Sequence, residues 1–337
     1  MQRRQLLTAW AALLLLAQVL FAQVLFAQVL FAQVASAVAQ TYPSRPIRQI
    51  VPYASGSAAD ALARVAGDKL AQVLGQPVVI DSRPGANSIV GAEVAARAAA
   101  DGYTFIQLND AASALNVALY PKLPYHTLKD FAPLTRAGSF AMVLVVNPAV
   151  PVASVEQFLA WARAGKEINF GSGGVGSAQH VLMEMLISST GLRLTHVPYR
   201  GVIPAMNDVV AGHIPMMVVG LAGSLGAIRS GLLRPIAMTG AKRAAELPDV
   251  PTLAEKGIAG FPAEPWTAFF APAETPEPIL ARLSGGLVEA LNDAGVREKL
   301  KPVMEVETST PEALRAMVER DIERYGNLVR HVGMKVE

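Results

Sequence analysis

From Tyr42 onward, short apolar runs alternate with longer stretches of helical period, the sequence form of an α/β protein built mostly on parallel strands. The apolar runs predict strands at 47–53, 77–80, 103–108, 142–146, 168–170, 195–199, 215–219, 234–239 and 266–270. Helical spacing predicts an amphipathic helix over 57–74, with Leu62, Val65, Leu70 and Val73 inward. A small-residue helix is expected near 90–99, with further helices over 204–211, 225–230, 276–292 and 311–331. Asp81 to Ala86 reads as a turn, and 121–133 as a Pro-containing excursion.

The first strand ends in a small-residue loop, Tyr53-Ala54-Ser55-Gly56-Ser57, which leads straight into the first helix. Ser57 with Asp60 three places on has the form of a capping box. Other first-turn N–H groups, and the positive end of the helix dipole, then face the space beyond the strand's carboxyl end. Open α/β sheets bind ligands there, although the same residues also describe an ordinary capped helix.

Three more loops of this kind follow strands. Asn109 to Ser113 can contact a ligand or cap the next helix. Gly171 to Ser177, which includes Gly173, Gly174 and Ser177, matches Gly-x-Gly-x-x-Gly between strand and helix. A dinucleotide site would place an acidic residue at the end of the following strand, and that strand ends in Pro198 and Tyr199 instead. The nucleotide reading is rejected, while a glycine-rich helix N-terminus that cradles a carboxylate is kept. Tyr199 to Gly201 places Arg200 at a strand end, facing either an anion or solvent. Two such loops come from each half of the chain, which describes two α/β lobes facing a cleft for a small anion.

Composition narrows the classes. A chain of 337 residues has room for two domains. Charged residues make up 17%, and setting aside Arg3 and Arg4 leaves 27 of each sign, so no nucleic acid or other polyanion partner is implied. Cysteine is absent, which removes disulfides, thiolate metal sites, a cysteine nucleophile and a lipid-modified cysteine anchor.

Arg3-Arg4 precedes an uncharged stretch to Ser44 with small-residue cleavage patterns at Ala35-Ser36-Ala37 and Ala37-Val38-Ala39. Residues 1–39 read as a secretory signal peptide, extended by a repeating Ala-Gln-Val-Leu-Phe unit long enough to act as an uncleaved anchor instead. Gly-x-Ser-x-Gly, His-Glu-x-x-His and paired histidines at helical spacing are missing, so hydrolase, metal and cofactor signals are lacking. His180 and His196 read as structural histidines.

The residues are similar to the Bug-type periplasmic solute receptors of tripartite tricarboxylate transporters. The resemblance spans Tyr42 to Glu337 and rests on the 51–60 loop, Arg83-Pro84-Gly85-Ala86, Asp101-Gly102-Tyr103-Thr104, Lys129-Asp130-Phe131-Ala132-Pro133, His196-Val197-Pro198-Tyr199-Arg200-Gly201 and Leu247-Pro248-Asp249-Val250-Pro251-Thr252, among others. It implies a two-lobed periplasmic-binding-protein (Venus flytrap) fold, each lobe a mainly parallel sheet flanked by helices. One lobe would be residues 40–140 plus 268–337 and the other 141–267. It also implies a small organic carboxylate held between the lobes, often through ordered water, and passed to membrane permease subunits by a monomeric receptor in the periplasm.

By this resemblance the site residues are Tyr53, Ala54, Ser55, Gly56, Ser57, Asn109, Ser113, Gly173, Gly174, Ser177, Tyr199 and Arg200. The chain departs from the family pattern at Ser57, where a second glycine is usual, and at Ser113, where histidine is frequent. Pro215 and Gly220 stand where acidic residues are common, so a ligand without an amino group is expected. A receptor feeding a sensor protein and an enzyme on the same scaffold are the competing classes.

Overall fold

The strands in chain order are β1 (Ile47–Val51), β2 (Val78–Ser82), β3 (Thr104–Asn109), β4 (Phe131–Ser139), β5 (Met142–Val146), β6 (Ile168–Ser172), β7 (Leu194–Pro198), β8 (Met216–Gly220), β9 (Arg234–Met238), β10 (Trp266–Pro272) and β11 (Glu305–Val306). The helices are α1 (Ala58–Leu74), α2 (Ile89–Ala96), α3 (Asn116–Leu119), α4 (Thr127–Asp130), α5 (Val155–Ala164), α6 (Ala178–Thr190), α7 (Val202–Ala211), α8 (Leu221–Arg229), α9 (Glu277–Asn292), α10 (Ala294–Leu300) and α11 (Pro311–Val332). A π-helical turn, Ala111–Leu115, joins β3 to α3. This computed structural model describes residues 42–165, 167–261 and 263–334, so the signal-peptide reading of 1–39 lies outside the described residues. Among the described residues no helix is long and apolar enough to cross a membrane.

The strands form two sheets. One has six strands in the order β11-β4-β10-β3-β1-β2, and the other has five in the order β7-β6-β8-β5-β9. The two-lobed α/β expectation holds: four strands of each sheet run one way, with β10, the short β11 and β5 running against them. β2-β1-β3 and β7-β6-β8 are parallel, whereas β10 runs against β3 and β4, and β5 runs against β8 and β9. The reason is connectivity. Parallel strands run toward the junction between the sheets, and a strand arriving from the other sheet starts at that junction and runs away from it. β5 and β10 are those arriving strands, and β10 belongs to the six-stranded sheet from Trp266 onward, paired there with Ser139.

Local sequence explains most elements. In α1, Leu62, Ala66, Leu70 and Leu74 recur every four residues and are at most 7% exposed. The stripe thus runs through Leu74 instead of Val73, because every fourth residue stays on one face over this length. It packs on Ile47, Phe105, Leu283 and Leu287, and each such side chain contributes about 1.5–3 kcal/mol of burial. β2 continues through Asp81 and Ser82, where a turn is expected, because the Asp81 carboxylate accepts Arg48 Nε at 2.7 Å and Arg83 Nε at 2.9 Å. At the sheet edge a paired charge is tolerated.

β4 lies inside the Pro-containing stretch and beyond it. Pro133 cannot donate to the ladder, and the register with β10 shifts next to it, between Phe269 and Phe270. α10 is also unexpected from periodicity. Its start is set by Asp293, whose Oδ1 accepts the N–H groups of Gly295 and Val296 at 2.9 and 3.1 Å.

The two sheets share one continuous apolar seam. Leu115, Leu119, Tyr325 and Leu328 from the first-sheet side pack into the same cluster as Phe170, Val181 and Leu182 from the second. α11 braces this seam: Trp266 Nε1 donates to Asp321 Oδ2 and the Tyr325 hydroxyl to Asp110 Oδ2, each at 2.6 Å. Beside them is a cavity of about 10 Å³ lined by Asp110, Glu264, Arg324 and Tyr325, room for about one water.

Candidate functional site

The loops after β1, β2 and β3 leave one parallel trio at its carboxyl edge, and those after β6, β7 and β8 leave the other. This is the edge at which open α/β sheets hold ligands. The first-lobe loops are stitched to one another. Tyr53 is half-buried and its hydroxyl accepts the Asn109 N–H at 2.7 Å. Burial pushes the Tyr53 hydroxyl pKa up, so it stays neutral. Ser88 Oγ donates to Pro52 O at 3.4 Å, and Arg83 N–H to Val51 O at 2.9 Å.

Ala54, Ser55 and Gly56 are exposed at the tip of the first loop. Gly56 has φ +82°, and a Cβ there would meet nothing within 4 Å. The capping box takes a modified form. Ser57 Oγ accepts the Asp60 N–H at 3.2 Å as expected, but Asp60 Oδ2 reaches back to the Gly56 N–H at 3.0 Å, one residue before the cap. Asp60 also pairs with Arg64 at 3.0 Å, and the Arg64 hydrogen bond first, then the Gly56 N–H, holds its carboxyl below the usual range.

Asn109 and Ser113 act mainly on their own backbone. Asn109 Oδ1 accepts the Ala112 N–H at 2.8 Å, and Ser113, fully buried, donates its hydroxyl to Asn109 O at 2.7 Å. The pair stabilises the π-helical turn, and the Ser113 hydroxyl supports the strand end instead of facing solvent.

In the second lobe the glycine loop is held by three side chains. Ser172 Oγ accepts the Gly174 N–H at 3.0 Å and lies 2.6 Å from His196 Nε2. His180 Nδ1 accepts the Gly176 N–H at 3.2 Å, while Ser177 Oγ caps α6 by accepting the His180 N–H at 3.3 Å. The His180 and His196 rings stack 3.7 Å apart at 9°, with Phe170 against His196. Burial, and then the neighbouring His180, lower the His196 pKa to about 4, so it is neutral near pH 7.

Gly173 lies against Val202, where a Cβ would be 3.1 Å from Val202 Cγ2. The Tyr199 N–H donates to Ser172 O at 3.1 Å, bringing the loop after β7 beside the glycine loop. The Tyr199 hydroxyl donates to Asp208 Oδ2 at 2.5 Å, and burial followed by that carboxylate push its pKa up to about 12. Arg200 is exposed, and among the described residues no ion pair or side-chain hydrogen bond is recorded for it.

The two groups of loops meet at Gly176. A Cβ there would lie 3.4 Å from Asn87 Nδ2 and 3.0 Å from Leu119 Cδ2, both from the first lobe. The turn after β2 is thus part of the site region, which the loop pattern did not single out. Its signal is conformational: Ala86, Asn87 and Ser88 have φ of 44°, 51° and 73°, and three successive non-glycine residues in the left-handed region are rare. Among the described residues no cluster of three or more His, Cys, Asp or Glu side chains could hold a metal ion.

The sequence profile of the tripartite tricarboxylate transporter family receptor matches residues 62–334. Protein BugT from Bordetella pertussis is 36% identical over 310 residues, covering 90% of this chain and 94% of that protein. An R. palustris protein solved with adipate is 30% identical, with a TM-score of 0.77 over 87% of this chain and 99% of that one. MatC from Rhodopseudomonas palustris, solved with bound malate, is 30% identical, with a TM-score of 0.73 over 86% of this chain and 100% of that one. Matched in sequence along most of its length and in its two-sheet architecture, the chain belongs to the tripartite tricarboxylate transporter receptor family, with Bug-type members among its relatives.

Proposed function

We propose that this protein is a periplasmic receptor that traps a small organic carboxylate between its lobes and hands it to membrane permease subunits, with no chemistry of its own. The observation that carries this reading is the convergence of loops from both parallel trios at the Asn87–Gly176 contact. In this proposal Ser55, Gly56 and Ser57 form one jaw, with Gly173, Ser177 and Arg200 in the other. Tyr53, Asn109, Ser113, Gly174 and Tyr199 shape the walls. Backbone N–H groups and hydroxyls grip the carboxylate, and Arg200 adds a cation. The relatives solved with adipate and malate support a diacid as the ligand class.

The pairing that comes nearest to a catalytic dyad is Ser172 with His196. Ser172 is fully buried and its Oγ is committed to Gly174, so a substrate carbonyl has no approach to it. The dyad is better explained as a support for the glycine loop, which favours a receptor over a hydrolase.

The test is a thermal-shift screen of the mature protein against mono-, di- and aromatic carboxylates, amino acids and neutral analogues. A ligand at a hundred times its dissociation constant is expected to add about 2.7 kcal/mol of stability. Diacids without an amino group are expected to lead. An amino acid that outcompetes every plain carboxylate, or turnover of the bound compound, overturns the reading.

A further inference from the structure

Gly176 is buried, has φ +75°, and is gripped from both sides. From its own lobe, His180 Nδ1 holds its N–H, and that ring is stacked on His196. From the other lobe, Leu119, Asn87 and Leu115 close over it, with a Cβ at 176 placed 3.0, 3.4 and 3.9 Å from their side-chain atoms. These facing residues are themselves fixed. Asn87 and Asn116 exchange amide hydrogen bonds at 2.8 and 3.0 Å, Asn116 is fully buried, and Leu119 lies in the shared apolar seam.

A contact with two rigid sides and no side chain between them acts as a spacer. A packed interior cannot absorb an added methyl group without displacement, and here the two sides of the contact belong to different lobes. We propose that Gly176 is a positioning residue that sets how closely the lobes approach, and thereby the length of carboxylate that the cleft accepts. The claim about ligand length rests on the receptor reading above, whereas the claim about lobe approach rests on the notch geometry alone.

The chain has no cysteine, so Asp68→Cys on α1 and Arg229→Cys on α8, both at exposed positions, accept spin labels without background. Pulsed electron paramagnetic resonance on the labelled full-length protein then reads the distance between lobes. Gly176→Ala is expected to lengthen that distance, and adding Leu119→Val, which removes the facing methyl, to restore it. Gly174→Ala, also at a positive φ but facing Tyr199 O of its own lobe, is expected to leave it unchanged. In titrations with malate and adipate, Gly176→Ala is expected to shift the ratio of dissociation constants several-fold toward adipate.

A wild-type distance in Gly176→Ala, or a longer one that Leu119→Val does not reverse, overturns the proposal. If Gly176→Ala fails to fold by circular dichroism, Leu119→Val alone decides: it is expected to shorten the distance, and no change overturns the proposal. A wild-type protein that binds neither diacid defeats the carboxylate reading, while the distance measurements still decide the notch.

Discussion

Asp110 starts the π-helical turn after β3, is 5% exposed, and accepts the Tyr325 hydroxyl. Burial raises its pKa from 3.8 to about 6; the Tyr325 hydrogen bond opposes the rise and the nearby Asp321 adds to it. A raised carboxyl pKa means that the folded state binds the proton more tightly. The associated stability is therefore complete below about pH 4 and lost as pH rises through about 6. Asp110→Asn mimics the protonated form and still accepts from Tyr325. It is expected to raise the melting temperature at pH 7.5, by roughly 2–3 kcal/mol of stability, and to match wild type near pH 4; a constant difference across that range would show that the charge is not the cause. At the other end of the site, Gly56→Val adds a branched side chain at φ +82°, a strain of about 1–2 kcal/mol. Circular dichroism is expected to show an intact fold and titration to show lost carboxylate affinity. An unchanged affinity would remove this loop from the site.

Among the elements, α1 follows the chain pattern in its extent and in its cap at Ser57, both local properties. Of its expected inward residues Leu62 and Leu70 are buried, while the stripe passes through Ala66 and Leu74 instead of Val65 and Val73. Ser57→Ala removes the acceptor for the Asp60 N–H and is expected to cost about 1 kcal/mol, read as a melting temperature lower by a few degrees. Because Asp60 also holds the Gly56 N–H, carboxylate affinity is expected to fall in the same variant; full affinity would limit the cap to a structural role. β4 shows the opposite case. Pro133 and Arg136 interrupt its apolar pattern, and only its place between β10 and β11 makes it a strand. The turn at Ala86–Ser88 is another such case: none of its three residues is glycine, so its left-handed backbone is imposed by surroundings such as the Asn87–Asn116 pair and the packing of Gly91 on Pro52.

At the scale of the whole molecule, two lobes are joined by an apolar seam and braced by α11, and in the proposed receptor they act as a clamp whose jaws are loops. A ligand shifts the lobes toward closure only as far as it binds the closed arrangement better than the open one. The first loop, Tyr53 to Ser57, was visible in the linear pattern because a capped helix after a strand is a local signal. The α/β class, the glycine loop and the near-neutral charge were visible for the same reason: propensity, period and composition act within a few residues. Tertiary structure decided the rest. Which loops share an edge follows from strand order, and strand order is set by pairings between residues far apart in the chain. Ser113 turned inward onto Asn109 O within its own turn, whereas Tyr199 bonded Asp208 and Asn87 reached Gly176 because their partners come from other elements. No local pattern encodes such partners, since burial and hydrogen bonding select them only once both sheets are assembled.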